Sequence, residues 1–175
     1  LKSGQIVVQD LPWPQVAPGM VLVRNHYSLI SAGTEGSTVR TARKSLIGKA
    51  KERPQQVKQA LDLLGKQGPV QTYRAVMKKL DAYSPLGYSC AGEVIETGSS
   101  ICDLRVGDLV ACAGAGYANH AEIVCVPRNL CVKLGEDADL RKASYNTLGA
   151  IALQGIRQAD LRLGESCLVI GLGLL

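Results

Sequence analysis

A chain of 175 residues, 46% of them hydrophobic, suffices for one packed core, or one core and a fragment of a second. The net charge of +5 is unevenly placed: residues 37–80 carry eleven Lys or Arg against Glu52 and Asp62, so the rest of the chain is net acidic. No run approaches the roughly 18 apolar residues of a spanning helix, which predicts a soluble globular protein that does not act at a membrane.

In chain order, Gln5 to Gln9 predicts a short strand, and Leu11-Pro12-Trp13-Pro14 an extended crossing, because two prolines forbid helix. After the Pro18-Gly19 turn, residues 21–30 predict a strand whose second half alternates apolar and polar, leaving His26 at a surface or strand edge. Small residues at 31–37 end it. Thr34-Glu35 there suits a helix N-terminus, with Thr34 as cap and Glu35 favoured by the helix dipole.

Residues 38–82 predict helices. Val57, Ala60, Leu61 and Leu64 form an i, i+3, i+4, i+7 stripe between Pro54 and Gly65, and residues 73–80 a second helix after Gly68-Pro69; residues 41–50 suit a third, shorter one. The basic face of this segment has three readings: a solvated surface, a site for an anionic group such as a nucleotide diphosphate or an acidic sugar, or, last, a nucleic-acid surface. Only Tyr73 is available within the stretch to stack bases.

Residues 85–127 form an all-β stretch, with strands over 91–96, from Leu109 after the Gly107-Asp108 turn, and over 121–126. Gly114-Ala115-Gly116 predicts a tight turn rather than a phosphate loop, and His120 a loop position rather than a catalytic one. A last strand over 131–134 leads to an acidic loop, then to a helix over about 140–158 whose small residues Ala143, Ala150, Ala152 and Gly155 permit close packing. Cys167 to Ile170 predicts a buried strand, followed by Gly171-Leu172-Gly173, the opening of a G-x-G-x-x-G dinucleotide fingerprint. Six scattered cysteines with no C-x-x-C pair predict free buried thiols in a reducing, cytoplasmic setting.

The order Gly-Tyr-Ser-Cys-Ala-Gly-Glu-Val-Ile-Glu-Thr-Gly from Gly87, then Val106-Gly107-Asp108-Leu109-Val110, then Tyr-Ala-Asn-His-Ala-Glu-Ile-Val-Cys-Val-Pro from Tyr117, resembles the GroES-like domain of zinc-type alcohol dehydrogenases and other medium-chain dehydrogenases/reductases. The resemblance implies a mainly β, partly open GroES-like barrel over residues 1–140, with a basic helical insertion at about 38–82. Residues 141–175 would then be the first helix and strand of a truncated α/β Rossmann domain, cut one residue before the third glycine. It also implies NAD or NADP as cofactor in the complete protein, with Gly171 and Gly173 binding it, and a small-molecule substrate.

The family's zinc ligands are replaced. Its first ligand cysteine matches Ala32, its ligand histidine in Gly-His-Glu matches Tyr88, with Ser89 beside it, and its third ligand falls near Asn146, so no zinc is expected. The Ser or Thr of the family's proton relay and the acid after it match Thr34 and Glu35. Tyr88 is then the candidate general acid/base, Thr34 the relay and Glu35 the orienting carboxylate; the other reading of Tyr88 is an aromatic that fills the empty metal pocket. The Ala-Gly-Thr-Glu corner, Gly87-Tyr88-Ser89 and the basic insertion together resemble the medium-chain half of bacterial two-part oxidoreductases of polysaccharide biosynthesis, which implies a sugar or sugar-nucleotide substrate. The alternative is a binding or scaffold domain that keeps the dehydrogenase fold without its chemistry.

Overall fold

The computed structural model of the chain describes residues 4–44, 48, 54–81 and 83–175. The chain divides into two compact units, one formed by Leu1–Asp10 and Ala32–Ser84, the other by Leu11–Ser31 and Pro85–Leu175.

Helices fill the first unit: α1 (Ala32–Arg43), α2 (Pro54–Gln67) and α3 (Pro69–Asp81). Gly68 alone separates α2 from α3, and its φ of +79° explains why α2 ends there and not at Gly65. A glycine in the left-handed region closes a helix, whereas Gly65 merely weakens one. Pro69 then opens α3 four residues earlier than expected, since proline lacks only an amide that a first turn leaves unbonded. Of the expected third helix, residues 41–43 belong to α1, and 45–47 with 49–50 lie outside the described residues. No strand forms over residues 5–9, where Ile6, Val7 and Val8 are exposed; no described strand pairs with this segment, and a lone strand has little to hold it.

The second unit is a five-stranded antiparallel sheet of order β4-β1-β2-β3-β5, built from β1 (Met20–Ser28), β2 (Ser89–Thr97), β3 (Leu109–Ala113), β4 (Ile123–Pro127) and β5 (Cys131–Lys133). Only the 3₁₀ turn Arg128–Leu130 separates β4 from β5, yet the two stand at opposite edges. Four residue steps reach about 14 Å, whereas the outer strands of a flat five-stranded sheet stand about 19 Å apart. The sheet must therefore curl into a partly open barrel. Val21, Val23, Val94, Val110, Val124 and Val126 fill it, together with Cys90, Cys112 and Cys131. Gly92 lies opposite Asn25, where a Cβ would run into the Arg24 carbonyl.

Instead of one helix over 140–158 there are two, α4 (Leu140–Ala143) and α5 (Asn146–Gln158). The Asp139 carboxylate caps α4 by accepting from the amides of Arg141 and Lys142. At the break, the Ser144 hydroxyl donates back to the Arg141 carbonyl (2.8 Å), while the Ser144 carbonyl accepts from Ser89 Oγ (2.7 Å) and is diverted from the helical ladder. Leu148 is buried, but Ala150 and Gly155 are exposed, so they do not serve the close packing expected of them. The buried strand expected at 167–170 is absent: Leu168, Val169 and Ile170 are exposed and irregular, because no described strand pairs with them. Among the described residues no helix is long and apolar enough to cross a membrane.

Candidate functional site

Tyr88 directly precedes β2 and is half-buried. Its carbonyl accepts from the Gly114 amide (2.9 Å) and from Thr147 Oγ1 (3.2 Å), which ties the start of β2 to the 114–117 turn and to the first turn of α5. Ser89 continues the junction from inside: its buried hydroxyl donates to the Ser144 carbonyl and accepts from the Thr147 amide at 3.3 Å.

Asn146, the first residue of α5, completes the network. Its Nδ2 lies 3.0 Å from the Cys112 carbonyl, 3.2 Å from those of Cys90 and Ala143, and 3.3 Å from Ser89 Oγ; Thr147 Oγ1 donates to its Oδ1 at 3.2 Å. Acceptors around one end and a donor at the other fix the orientation of the amide. Asn146 thus fastens a helix start across two strands.

The donor atoms of Ser89 and Asn146 are taken up within the protein: the Asn146 amide nitrogen has no lone pair to give and faces protein acceptors, and the Ser89 hydroxyl is engaged on both sides. Among the described residues no three His, Cys, Asp or Glu side chains are grouped to hold a metal.

Beside Tyr88 lies a histidine that sequence reasoning set aside. The His120 amide donates to the Leu86 carbonyl (2.8 Å), and its ring Nδ1 lies 2.9 Å from Ser28 Oγ at the end of β1. Gly87, at φ +94°, makes the approach possible: a Cβ there would come within 2.6 Å of the His120 amide nitrogen and 2.9 Å of its Nδ1. Asn25 Nδ2 donates to the carbonyls on either side of His120, those of Asn119 (3.3 Å) and Ala121 (2.8 Å). The only sequence signal for this corner was Gly87 itself, whose left-handed backbone a sequence does not display.

Thr34 and Glu35 sit in the first turn of α1, in the other compact unit. Because α1 starts at Ala32, Thr34 is inside the helix and not at its cap. The Thr34 carbonyl accepts from the hydroxyls of Ser37 (2.8 Å) and Thr38 (3.0 Å), and Glu35 is 9% exposed. Gly171 and Gly173 lie in the exposed terminal segment, Gly171 at φ +94°, with no atom within 4 Å of where either Cβ would be.

No protein-family model matches the chain. The D-guloside 3-dehydrogenase of Shigella flexneri is 32% identical over 89 residues, which is 50% of this chain and 25% of that protein. Among solved structures, the quinone oxidoreductase of Coxiella burnetii superposes with a TM-score of 0.60 at 24% identity, over 89% of this chain and 41% of its own. The quinone oxidoreductase of Escherichia coli, solved with NADPH, gives a TM-score of 0.53 at 15% identity, over 89% and 36% of the two chains. The chain thus has the fold found in medium-chain dehydrogenases/reductases and spans well under half the length of these relatives.

Proposed function

We propose that the chain is the GroES-like part, residues 1–140, and the start, residues 141–175, of the Rossmann part of a cytoplasmic oxidoreductase. It uses NAD or NADP, works without zinc, and acts on an alcohol or carbonyl of a sugar or sugar nucleotide. The observation that carries this reading is the fate of the ligand positions: Asn146 fastens β2 and β3 to α5, Ser89 joins the same network, and Tyr88 keeps a phenol at the start of β2. The sugar substrate is supported by the likeness to a guloside dehydrogenase. Exposed Arg40, Lys58, Lys66, Arg74 and Lys78 on the helices support an anionic one. The narrower assignment, to the medium-chain half of a two-part oxidoreductase of polysaccharide biosynthesis, rests on the Ala32-Gly33-Thr34-Glu35 corner, Gly87-Tyr88-Ser89 and these helices.

The nicotinamide, when bound, accepts or donates the hydride; Gly171 and Gly173 would line its pyrophosphate. With no metal to polarise the substrate oxygen, a protein group must hold the proton that leaves or joins it. Tyr88 takes that role through its phenol; the relay and orienting roles of Thr34 and Glu35, in the first turn of α1, are carried over from the family resemblance alone.

Fluorescence titration of the full-length protein with NADH and NADPH tests the reading. Saturable binding of either, followed by hydride transfer from a sugar alcohol, is the expected result. A folded protein that binds neither cofactor would reject it in favour of a scaffold that keeps only the fold.

A further inference from the structure

We infer that Cys112 and Cys131 form an oxidation site: hydrogen peroxide converts the pair to a reversible cross-strand disulfide that fastens the edge strand β5 to β3. The inference goes beyond the oxidoreductase reading and does not depend on it, because it concerns the barrel wall and neither Tyr88 nor the cofactor.

Register selects this pair from the three core thiols. Cys90, Cys112 and Cys131 lie in a row across β2, β3 and β5, each directly opposed to the next. Opposed residues of antiparallel strands alternate between hydrogen-bonded and non-hydrogen-bonded pairs. The Leu134 amide donates to the Leu109 carbonyl (2.8 Å), so those two residues are hydrogen-bonded and, three steps along, Cys112 and Cys131 are a non-hydrogen-bonded pair. On the other side of β3 the Gly114 amide donates to the Tyr88 carbonyl (2.9 Å), which makes Cys90 and Cys112, two steps along, a hydrogen-bonded pair. Opposed Cβ atoms stand about 4.5–5.5 Å apart, closer in non-hydrogen-bonded pairs, and a disulfide needs about 3.5–4.5 Å. That favours Cys112 with Cys131 over Cys90 with Cys112. The sulfurs of the favoured pair are already hydrogen-bonded at 3.7 Å.

The two thiols differ in reach and in reactivity. Cys131 opens a three-residue strand at the edge of the sheet, straight after the Arg128–Leu130 turn, and is 4% exposed, whereas Cys112 is fully buried. The hydrogen bond from Cys112 holds the Cys131 thiol below its usual range, against the effect of burial, and the charge of Arg128 acts in the same direction. Cys131 is therefore the sulfur that a water-sized oxidant meets first, while bulkier reagents are shut out. Its thiolate attacks the peroxide, an S–O bond forms as the O–O bond breaks, and the released hydroxide takes a proton to leave as water. The Cys112 thiol, closed to outside reagents, then attacks the sulfenic acid: the S–S bond forms, the S–O bond breaks, and the hydroxyl leaves with the Cys112 proton as a second water. Two thiols are oxidised and one peroxide is reduced; an added dithiol reverses the bond by exchange. The link gives β5, which has one neighbour, a covalent tie to the strand whose Cys112 carbonyl holds Asn146.

The test treats folded full-length protein with hydrogen peroxide, blocks the remaining thiols and reads non-reduced tryptic peptides by mass spectrometry. Trypsin places Cys131 in peptide 129–133 and Cys112 in peptide 106–128, which also carries Cys125. The expected product is these two peptides joined, two hydrogens lighter than their sum, formed in wild type and in Cys125→Ser, absent from Cys112→Ala and Cys131→Ala, and released by dithiothreitol. Peroxide that oxidises the exposed Cys102 and Cys167 without joining the two peptides would overturn the inference. So would a join that survives Cys112→Ala, a link from Cys112 to Cys90, or a join that forms only in urea-unfolded protein. Wild type and Cys125→Ser decide the matter without any change to the core. Oxidation should also raise the melting midpoint of wild type, reversibly with dithiothreitol; a midpoint that does not move would overturn the fastening of β5.

Discussion

Asn146 Nδ2 stands 3.0 Å from the Cys112 carbonyl and 3.2 Å from the Cys90 carbonyl, and those two cysteines are directly opposed partners of β2 and β3. One amide from the first turn of α5 therefore spans a strand pair. Asn146→Ala removes the donor and leaves the carbonyls and Ser89 to rearrange, which should cost about 1–3 kcal/mol in urea unfolding of the full-length protein. Asn146→Asp should cost more than Ala at neutral pH, because a carboxylate facing carbonyl oxygens adds repulsion to the lost bonds. Equal stability of wild type and Asn146→Ala would show that the network contributes nothing.

Two of the glycines with positive φ, Gly87 and Gly116, differ in surroundings. Gly87 has the His120 backbone 2.6 Å from its virtual Cβ, whereas Gly116, at φ +85°, has nothing within 4 Å. Gly116→Ala should therefore cost only the left-handed backbone term, about 1–2 kcal/mol. Gly87→Ala adds a collision with main chain and should cost clearly more, while displacing His120. Circular dichroism melts of the pair measure the difference; an identical loss would mean that the approach at Gly87 relaxes freely.

Much of the sheet was legible because its strands announce themselves twice, by β-branched runs such as Val94-Ile95 and Val124 to Val126 and by turn residues such as Gly107-Asp108. Helix ends were less legible. Gly65 and Gly68 look alike in sequence, and only the backbone distinguishes a helix interior from a left-handed stop. The break at Ser144-Tyr145 depends on Ser89, 55 positions away, so no local pattern could have revealed it. The contacts of His120 with Leu86 and Ser28 were hidden for the same reason, both residues being remote in sequence. The apolar run at 167–170 has the composition of a buried strand, but burial requires neighbours that the described residues do not include.

Cys90, Cys112 and Cys131 face one another across β2, β3 and β5, and Cys112 donates to Cys131 at 3.7 Å. Hydrogen bonds to Cys131 and Cys90, then burial, push the Cys112 thiol up, so it stays protonated and inert. Cys102 and Cys167 are exposed. Brief treatment with a maleimide, read by peptide mass spectrometry, should label Cys102 and Cys167 first and the three core thiols only after unfolding. Early labelling of Cys112 would contradict the closed barrel.

If Tyr88 holds the substrate proton, Tyr88→Phe in the full-length enzyme should reduce kcat by about 100- to 10,000-fold, the usual size of a general acid/base contribution. Its fold should survive, since the bonds at this position come from the Tyr88 backbone carbonyl and not from the phenol: Gly114 at 2.9 Å and Thr147 at 3.2 Å. Turnover equal to wild type would remove Tyr88 from the chemistry and leave it as an aromatic that fills space.

The closure of the barrel should be sensitive to acid. Arg128, in the turn between β4 and β5, places Nε 2.9 Å from Asp103 Oδ1 and Nη1 2.7 Å from the Cys131 carbonyl. Its hydrogen bond to Asp103 holds that carboxyl below the ordinary 3.8, as the hydrogen bond from Lys133 does for Asp108. A carboxyl whose folded pKa lies below its unfolded value contributes stability above the unfolded pKa, and that contribution fades as pH falls through the folded one. Wild type should therefore lose stability below about pH 4. Asp103→Asn should be less stable than wild type at pH 7, and the gap should close on acidification. Because Asp108 still titrates, the acid slope of Asp103→Asn should be reduced and not abolished; Asp103→Asn with Asp108→Asn should flatten it further. Thermal melts between pH 2 and 7 give the answer, and a gap that stays constant down to the lowest pH would mean that the Arg128 pair does not couple protonation to folding.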